Sequence, residues 1–266
     1  MNELLAPAKL NLALVVGPRR PDGKHEVATV LQRLALADTV ALEPADELCV
    51  EGFAQDTLVR RALELVAERA AAEPRWRATI EKRIPVAAGL GGGSSDAAAA
   101  LRLASEVLGA PFSAHDLFAL GAELGADVPF FLTAGPQLGE EDGTRLRPLD
   151  LPQDYWVVVV MPHGEAKRST AAVYEDFDRR GGAEGFEERR AGLHRALMLG
   201  DLAALPPNDL ASSPLTEELR ELGAFRADVT GAGPAVYGLF AEEAQAVTAA
   251  ASLDARGEVW VTAPGW

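Results

Sequence analysis

Apolar and polar positions follow a mixed order along this chain, changing repeatedly between strand-like and helix-like spacing. Residues 9–16 are a nearly continuous apolar run and predict a strand, while 17–23, with two prolines and Asp22-Gly23, predict a turn. Short strands are predicted over 39–42 and 48–51, separated by Pro44 and Asp46. From 57 to 72, Leu58, Ala62, Leu65, Val66 and Arg69 fall at helical spacing, with Asp56 placed to cap the first turn. Alternation of Ile80, Lys82 and Ile84 predicts a half-exposed strand over 78–84. A glycine-rich stretch then leads into an alanine-rich helix over 95–108, and 113–124 reads as an amphipathic helix capped by Ser113.

The pattern breaks at 149–153, and 156–160 begins a new buried strand. Helices are predicted at 170–177, 186–199, 215–222 and 242–251, and strands at 227–230, 236–240 and 259–261. No repeat or heptad run interrupts this order. The mixture predicts an α+β protein of two domains, 1–152 and 153–266.

A length of 266 residues suits one large or two modest domains, and 48% apolar with 24% charged residues is enough to bury a sizeable core. Lys and Arg total 25 against 40 Asp and Glu, a net charge of −15, so the chain is a poor general binder of nucleic acid or anionic membrane. Any anion must be held by a local site. The single cysteine, Cys49, permits neither an internal disulfide nor a multi-thiolate zinc cluster, and its apolar setting predicts a small buried hydrophobe. The opening residues Met1-Asn2-Glu3 lack a basic signal-peptide region, and apolar stretches such as 156–161 fall well short of the about 20 residues that span a bilayer. The expectation is a soluble, cytoplasmic protein.

The richest chemistry lies in Pro85-Val86-Ala87-Ala88-Gly89-Leu90-Gly91-Gly92-Gly93-Ser94-Ser95-Asp96. Such a segment is either a flexible turn into a capped helix or a cradle for phosphate. In the second case its backbone N–H groups converge on the anion, and the positive end of the helix dipole adds to the attraction. It is neither of two familiar phosphate loops: Gly93 is followed by Ser94 where the Walker pattern needs lysine, and Ser94 stands where the dinucleotide pattern needs glycine. Near the N-terminus, Lys9 and Asn11 lie two apart and so share one strand face. Lys9 with Asp127 reads either as a salt bridge tying strand to helix, with Asp127 as a helix cap, or as a catalytic pair. His115, His163 and His194 lack metal-ligand spacing, and the runs 140–142 and 187–190 are predicted to be solvated faces.

Pro85–Ala97 resembles the second motif of the GHMP kinases, which include galactokinase, homoserine kinase and mevalonate kinase. Pro7-Ala8-Lys9-Leu10-Asn11-Leu12 resembles the first motif and Thr230-Gly231-Ala232-Gly233-Pro234-Ala235 the third. Pro7–Leu12, Gly125-Ala126-Asp127-Val128-Pro129-Phe130-Phe131 and Asn208-Asp209-Leu210 further resemble the members that act on 4-diphosphocytidyl-2-C-methyl-D-erythritol. The resemblance implies an N-terminal domain like the second domain of ribosomal protein S5, a ferredoxin-like C-terminal domain and an interdomain cleft. It implies phosphorylation of that compound's 2-hydroxyl by ATP with Mg²⁺, in non-mevalonate isoprenoid precursor synthesis. The partners are then small molecules, ATP and a cytidine diphosphate polyol. Two rivals stay open: a sister kinase acting on homoserine or a mevalonate derivative, and a non-catalytic ATP-binding module.

Residue by residue, the resemblance puts Lys9 and Asp127 at the acceptor hydroxyl and residues 85–95 around the phosphates, with Ser94 or Ser95 contributing a hydroxyl. It puts Asn11, Thr170, Gly231 and Gly233 against the substrate, His25 at the cytosine edge and Tyr174 on the face of the base. This chain departs from the pattern at Lys24, where an aromatic is usual; its stem then covers the base or its ammonium pairs with the diphosphate. Thr57 replaces an asparagine near the adenine. Thr230 and Ala232 replace serines, with loss of hydroxyl contacts expected there.

Overall fold

The computed structural model describes residues 2–164 and 168–265, so Met1, part of the N-terminal reading above, lies outside the described residues. Two long strands open the chain, β1 (Asn2–Arg19) and β2 (His25–Pro44), where the pattern predicted strands only over 9–16 and 39–42. Residues 8–17 of β1 are continuously buried, as the apolar run requires. The predicted turn narrows to Arg20–Lys24, closed by Arg20 N–H to Lys24 O (2.7 Å) and Gly23 N–H to Arg20 O (3.0 Å). Gly17 is therefore a strand residue. A Cβ on it would lie 2.9 Å from the Phe186 ring, so the missing side chain admits that aromatic. In β2, Gln32 and Arg33 hide a strand within an apolar run. Both are buried, with Gln32 Nε2 donating to Gln153 Oε1 (2.9 Å) and the Arg33 guanidinium to Gly135 O (3.1 Å).

Next come β3 (Cys49–Glu51), α1 (Leu58–Arg69) and β4 (Trp76–Glu81). Asp56 caps α1 as predicted, accepting from Val59 N–H (3.1 Å) and Arg60 N–H (3.3 Å). The buried stripe is Val59, Ala62, Leu63, Val66 and Ala67, rotated from the predicted Leu58–Leu65 face. β4 buries Trp76, Ala78 and Ile80 in alternation and ends before Lys82, two residues out of step with the predicted strand. Three helices follow: α2 (Gly92–Val107), α3 (Ala114–Leu124) and the short α4 (Val128–Leu132). Ser113 caps α3 in a reciprocal box, its Oγ accepting from Asp116 N–H (3.2 Å) while Asp116 Oδ2 accepts from Ser113 N–H (2.9 Å).

β5 (Gln137–Glu141) and β6 (Arg145–Pro148) form a hairpin where a solvated acidic face was predicted. Its charges are partnered: Glu140 with Arg147 at 3.0 Å, Asp142 with Lys24 at 2.5 Å. Burial pushes the Asp142 carboxyl up, but hydrogen bonds from Lys24 and Thr144 outweigh it and hold the group at about 2.

The remaining elements are β7 (Trp156–Pro162), α5 (Thr170–Arg179), α6 (Phe186–Leu199), α7 (Leu215–Glu221), β8 (Arg226–Val229), β9 (Val236–Phe240), α8 (Glu243–Leu253) and β10 (Gly257–Thr262). The four strands form an antiparallel sheet in the order β10-β7-β9-β8, the ferredoxin-like arrangement expected of the C-terminal half. Val158, Val160, Val229 and Val236 of this sheet pack with Leu219 of α7 and with Ala246, Ala249 and Leu253 of α8.

The chain folds as two compact units interleaved in sequence. The first takes the described residues through Ala8, Leu36–Val86 and Gly91–Ala134; the second takes Lys9–Ala35, Ala87–Leu90 and the described residues from Gly135 on. In the first unit the end of β2 pairs antiparallel with β4 (Val40 opposite Ile80), and β3 runs parallel to β4. In the second, the start of β2 pairs antiparallel with β5 (Thr29 opposite Gly139). Among the described residues no helix is long and apolar enough to cross a membrane.

Candidate active site

Within the second unit, segments far apart in sequence meet around Lys9. This side chain is 5% exposed in the middle of β1; its Nζ donates to Asn11 Oδ1 (2.6 Å) and its N–H to Leu90 O (2.9 Å). Asn11 shares the strand face, as the two-residue spacing predicted, and its amide is fixed from both ends. Asn11 Nδ2 donates to Thr29 Oγ1 (2.8 Å), and Thr29 Oγ1 donates to Ala13 O (2.8 Å). Asn11 N–H donates to Thr230 Oγ1 (3.0 Å), so the Thr230 hydroxyl is in use, correcting the expectation that this position had lost its hydroxyl contact.

The β8–β9 hairpin turn carries Gly231 and Gly233 and touches the glycine segment. Ala235 N–H donates to Ala88 O (3.2 Å). Gly89 has φ +85°, and a Cβ on it would lie 2.8 Å from Thr230 O, so both conformation and space demand glycine. A Cβ on Gly231 would stand 3.4 Å from Asn11 Oδ1, 3.6 Å from Gly89 O and 3.7 Å from Lys9 Nζ. One backbone carbonyl, one amide and one ammonium therefore face the same turn. Asn208 braces that turn, donating from Nδ2 to Val229 O (2.9 Å) and Gly231 O (2.7 Å). Its neighbour Asp209 accepts from Val16 N–H (2.8 Å) and Arg189 Nε (3.0 Å). Arg189 thus leaves the solvated run predicted over 187–190.

In the first unit, α2 begins at Gly92, three residues before the predicted start, with Gly91 at φ +72° as its cap. Gly92 and Gly93 are helical rather than loop. Ser95 N–H makes the first helical bond, to Gly91 O (3.0 Å), and the N–H groups of Gly92, Gly93 and Ser94 precede it. Ser94 is half-buried, whereas Ser95 is buried and its hydroxyl has no hydrogen-bond partner.

A buried ion cluster lies against this turn. Lys82 Nζ donates to Asp38 Oδ2 and to Asp96 Oδ2 (2.8 Å), and Asp38 Oδ1 accepts from Arg83 N–H (2.5 Å) and Ile84 N–H (2.8 Å). A Cβ on Gly92 would lie 3.2 Å from Lys82 Nζ and 3.3 Å from Asp38 Oδ2. Sequence reading missed Asp38 and Lys82; the available signal was a lone acid closing the apolar run Leu34-Ala35-Leu36-Ala37.

Burial pushes the Asp96 carboxyl up to about 7 against the pull of Lys82, with the Asp38 charge adding to the rise. The folded state thus binds this proton more tightly than the unfolded chain. The associated stability is present below the ordinary carboxyl value of 3.8 and is lost as pH rises through about 7. Relative to wild type, Asp96→Asn is therefore expected to gain unfolding free energy as pH rises from about 4 to about 7, by up to a few kcal/mol. Urea unfolding of both proteins across this range checks it, and parallel curves contradict it.

His25, also in the second unit, is buried against α5. Its ring stacks on Tyr174 (centroids 4.7 Å apart, planes 27° apart), and Phe177 meets it edge-on at 5.9 Å. His25 Nε2 lies 2.7 Å from Asp178 Oδ1. The predicted pair is thus together, with one imidazole nitrogen already engaged. Thr170 is the first residue of α5 and is exposed; Ser169 caps the helix, accepting from Ala172 N–H (3.2 Å). The Lys24 ammonium rests on Asp142. In the first unit, Asp127 is exposed just before α4, and its side chain makes no capping hydrogen bond to that helix.

Residues 57–135 match the family model for the GHMP kinases N-terminal domain and residues 183–259 that for the GHMP kinases C-terminal domain. Homoserine kinase from Cytophaga hutchinsonii shares the fold, with a TM-score of 0.76 at 16% identity over 98% of this chain and 94% of that one. The sheet order, the helix-opening glycine segment and these matches define a small-molecule kinase of GHMP architecture.

The chain is 40% identical to the 4-diphosphocytidyl-2-C-methyl-D-erythritol kinase of Cutibacterium acnes, over 92% of its own length and 88% of the relative's. It is 36% identical to the like-named protein of Geobacter sulfurreducens over 95% of each. A crystal structure of 4-(cytidine 5'-diphospho)-2C-methyl-D-erythritol kinase matches with a TM-score of 0.84 at 35% identity, covering 100% of both chains. The chain belongs to the 4-diphosphocytidyl-2-C-methyl-D-erythritol kinase family of the GHMP kinases.

Proposed function

We propose that this kinase transfers the γ-phosphoryl group of ATP to the 2-hydroxyl of 4-diphosphocytidyl-2-C-methyl-D-erythritol, a step of non-mevalonate isoprenoid precursor synthesis. The observation that carries the reading is the meeting of Lys9, Asn11, the 88–90 backbone and the Gly231 turn in one unit. Phosphoryl transfer has a loose transition state, so catalysis rests mostly on positioning and on charge held at the reacting oxygens. Lys9 supplies the buried positive charge. Asn11, locked by Thr29, positions the acceptor. Asp127 receives or orients the acceptor hydroxyl's proton.

Residues 85–95 hold the triphosphate through backbone N–H groups, with the unpaired first turn of α2 adding its dipole. Ser94 is the hydroxyl offered to phosphate, because it is only half-buried while Ser95 is buried. Mg²⁺ enters as part of the MgATP substrate, held by β- and γ-phosphate oxygens and water, where it neutralises developing charge. Such a donor set needs no carboxylate cage, and among the described residues no group of three His, Cys, Asp or Glu side chains is placed to hold a metal.

Gly231 and Gly233 let the acceptor approach the turn, His25 and Tyr174 bind its base, and Thr170 borders it. The family-type domains are taken as 1–152 and 153–266, on either side of which the two domain models match. The charge of −15 argues against nucleic-acid partners, and the small soluble substrates favour the cytoplasm.

Coupled ADP release with the cytidine acceptor, homoserine and mevalonate tests the proposal. Turnover is expected with the cytidine acceptor alone. Turnover with homoserine or mevalonate instead, or ATP binding with no acceptor-dependent ADP, replaces it by one of the rivals.

A further inference from the structure

At the end of β1 and along α5, three side chains of the second unit form a relay that base binding by itself leaves unexplained. Asp178 Oδ1 lies 2.7 Å from His25 Nε2, and Asp178 Oδ2 accepts from Arg19 Nε (2.8 Å) and pairs with Arg19 Nη2 at 2.6 Å. Asp178 sits on the face of α5 that also carries Tyr174, one turn earlier, so the helix that stacks on the imidazole also supplies its carboxylate. The ring is held in plane by Tyr174 and at its edge by Phe177, and only 6% of the His25 side chain is exposed.

The chemistry of this relay fixes a proton. The His25 hydrogen bond, with Arg19 adding to it and burial opposing, holds the Asp178 carboxyl below the ordinary carboxylate range. An ionised carboxylate only accepts, so His25 Nε2 must carry the hydrogen. In the neutral imidazole Nδ1 is then a lone-pair acceptor. Cytosine and uracil differ in what they offer such an atom: cytosine presents its 4-amino N–H as a donor, whereas uracil presents a carbonyl oxygen at the same position. A fixed acceptor pairs with the first and faces the second lone pair to lone pair.

We propose that Asp178, braced by Arg19, is a specificity-determining positioning residue that holds His25 in its Nε2–H tautomer, so that Nδ1 accepts from the cytosine amine and disfavours uracil. This rests on the reading above that His25 meets the base of the acceptor. Asp178 acts only through His25 and touches no reacting atom. Its removal changes base choice and acceptor binding rather than the transfer step.

The test compares wild type, Asp178→Ala and His25→Ala on the cytidine acceptor and on the same acceptor carrying uracil, together with ¹⁵N spectra of the His25 ring, identified by its loss in His25→Ala. The wild-type ring is expected as the Nε2–H tautomer. Asp178→Ala is expected to raise KM for the cytidine acceptor by about 10-fold and to shrink the cytidine-to-uridine ratio of kcat/KM by on the order of 10-fold or more, with KM for ATP unchanged. An Nδ1–H tautomer in wild type overturns the proposal whether or not the variant folds. An unchanged ratio in Asp178→Ala, with a reduced ratio in His25→Ala, overturns it while leaving the base-binding reading intact. If His25→Ala itself keeps the wild-type ratio and KM, the base-binding reading fails, and this proposal fails with it.

Discussion

In Lys9→Met, kcat is expected to fall by about 10²–10³-fold, the loss typical of one well-placed electrostatic donor, while the protein stays folded and its KM for ATP changes little. Lys9 carries its charge into a setting that is 5% exposed, where an ammonium acts through little intervening water. Methionine keeps an unbranched stem, one heavy atom shorter than lysine's, so most of the packing along β1 is retained. Among what is lost are the charge and the bond to Asn11 Oδ1. An unpaired buried acceptor costs about 1–3 kcal/mol, and Asn11 keeps its second anchor on Thr29. A thermal melt therefore shows a modest loss of stability and steady-state ADP release a large loss of turnover. If both fall in proportion, Lys9 is structural only.

Asp127→Asn is expected to lower kcat by at least about 10²-fold, the lower end of what a positioned proton acceptor contributes. The substitution keeps shape and removes basicity. Asp127 is exposed, and asparagine keeps its size and shape, so the variant is expected to stay folded, which a melt checks. Turnover near wild type in the folded variant removes Asp127 from the mechanism.

Much of the fold was legible wherever one local rule decided it. Ser113 with Asp116 announces a helix start, and the predicted spans 186–199 and 236–240 coincide with α6 and β9 because their patterns are uninterrupted. The glycine motifs were legible for a related reason: a Cβ on Gly89 would meet Thr230 O at 2.8 Å, and Gly231 holds a φ of +58° that favours glycine.

The rest depends on pairings across long separations. Gln32 and Arg33 read as surface residues until Gln153 and Gly135 receive them. Lys82 looked like the polar phase of a strand, yet its partners Asp38 and Asp96 lie 44 and 14 residues away. Asp178, followed by Arg179 and Arg180, reads as one charge among many on a solvated helix, and only folding brings it to His25, 153 residues earlier. Periodicity reports which face is buried but not which polar group waits there, so the ion cluster and the His25 relay emerge only from the fold.

The most direct measurement is single-turnover transfer from bound ATP to bound cytidine acceptor in wild type and in Asp127→Asn, with the ATP dissociation constant determined alongside. Transfer slowed by at least about 10²-fold at an unchanged dissociation constant is the expected result. Transfer at the wild-type rate, or a slowing matched by equally weakened ATP binding, contradicts a chemical role for this carboxylate.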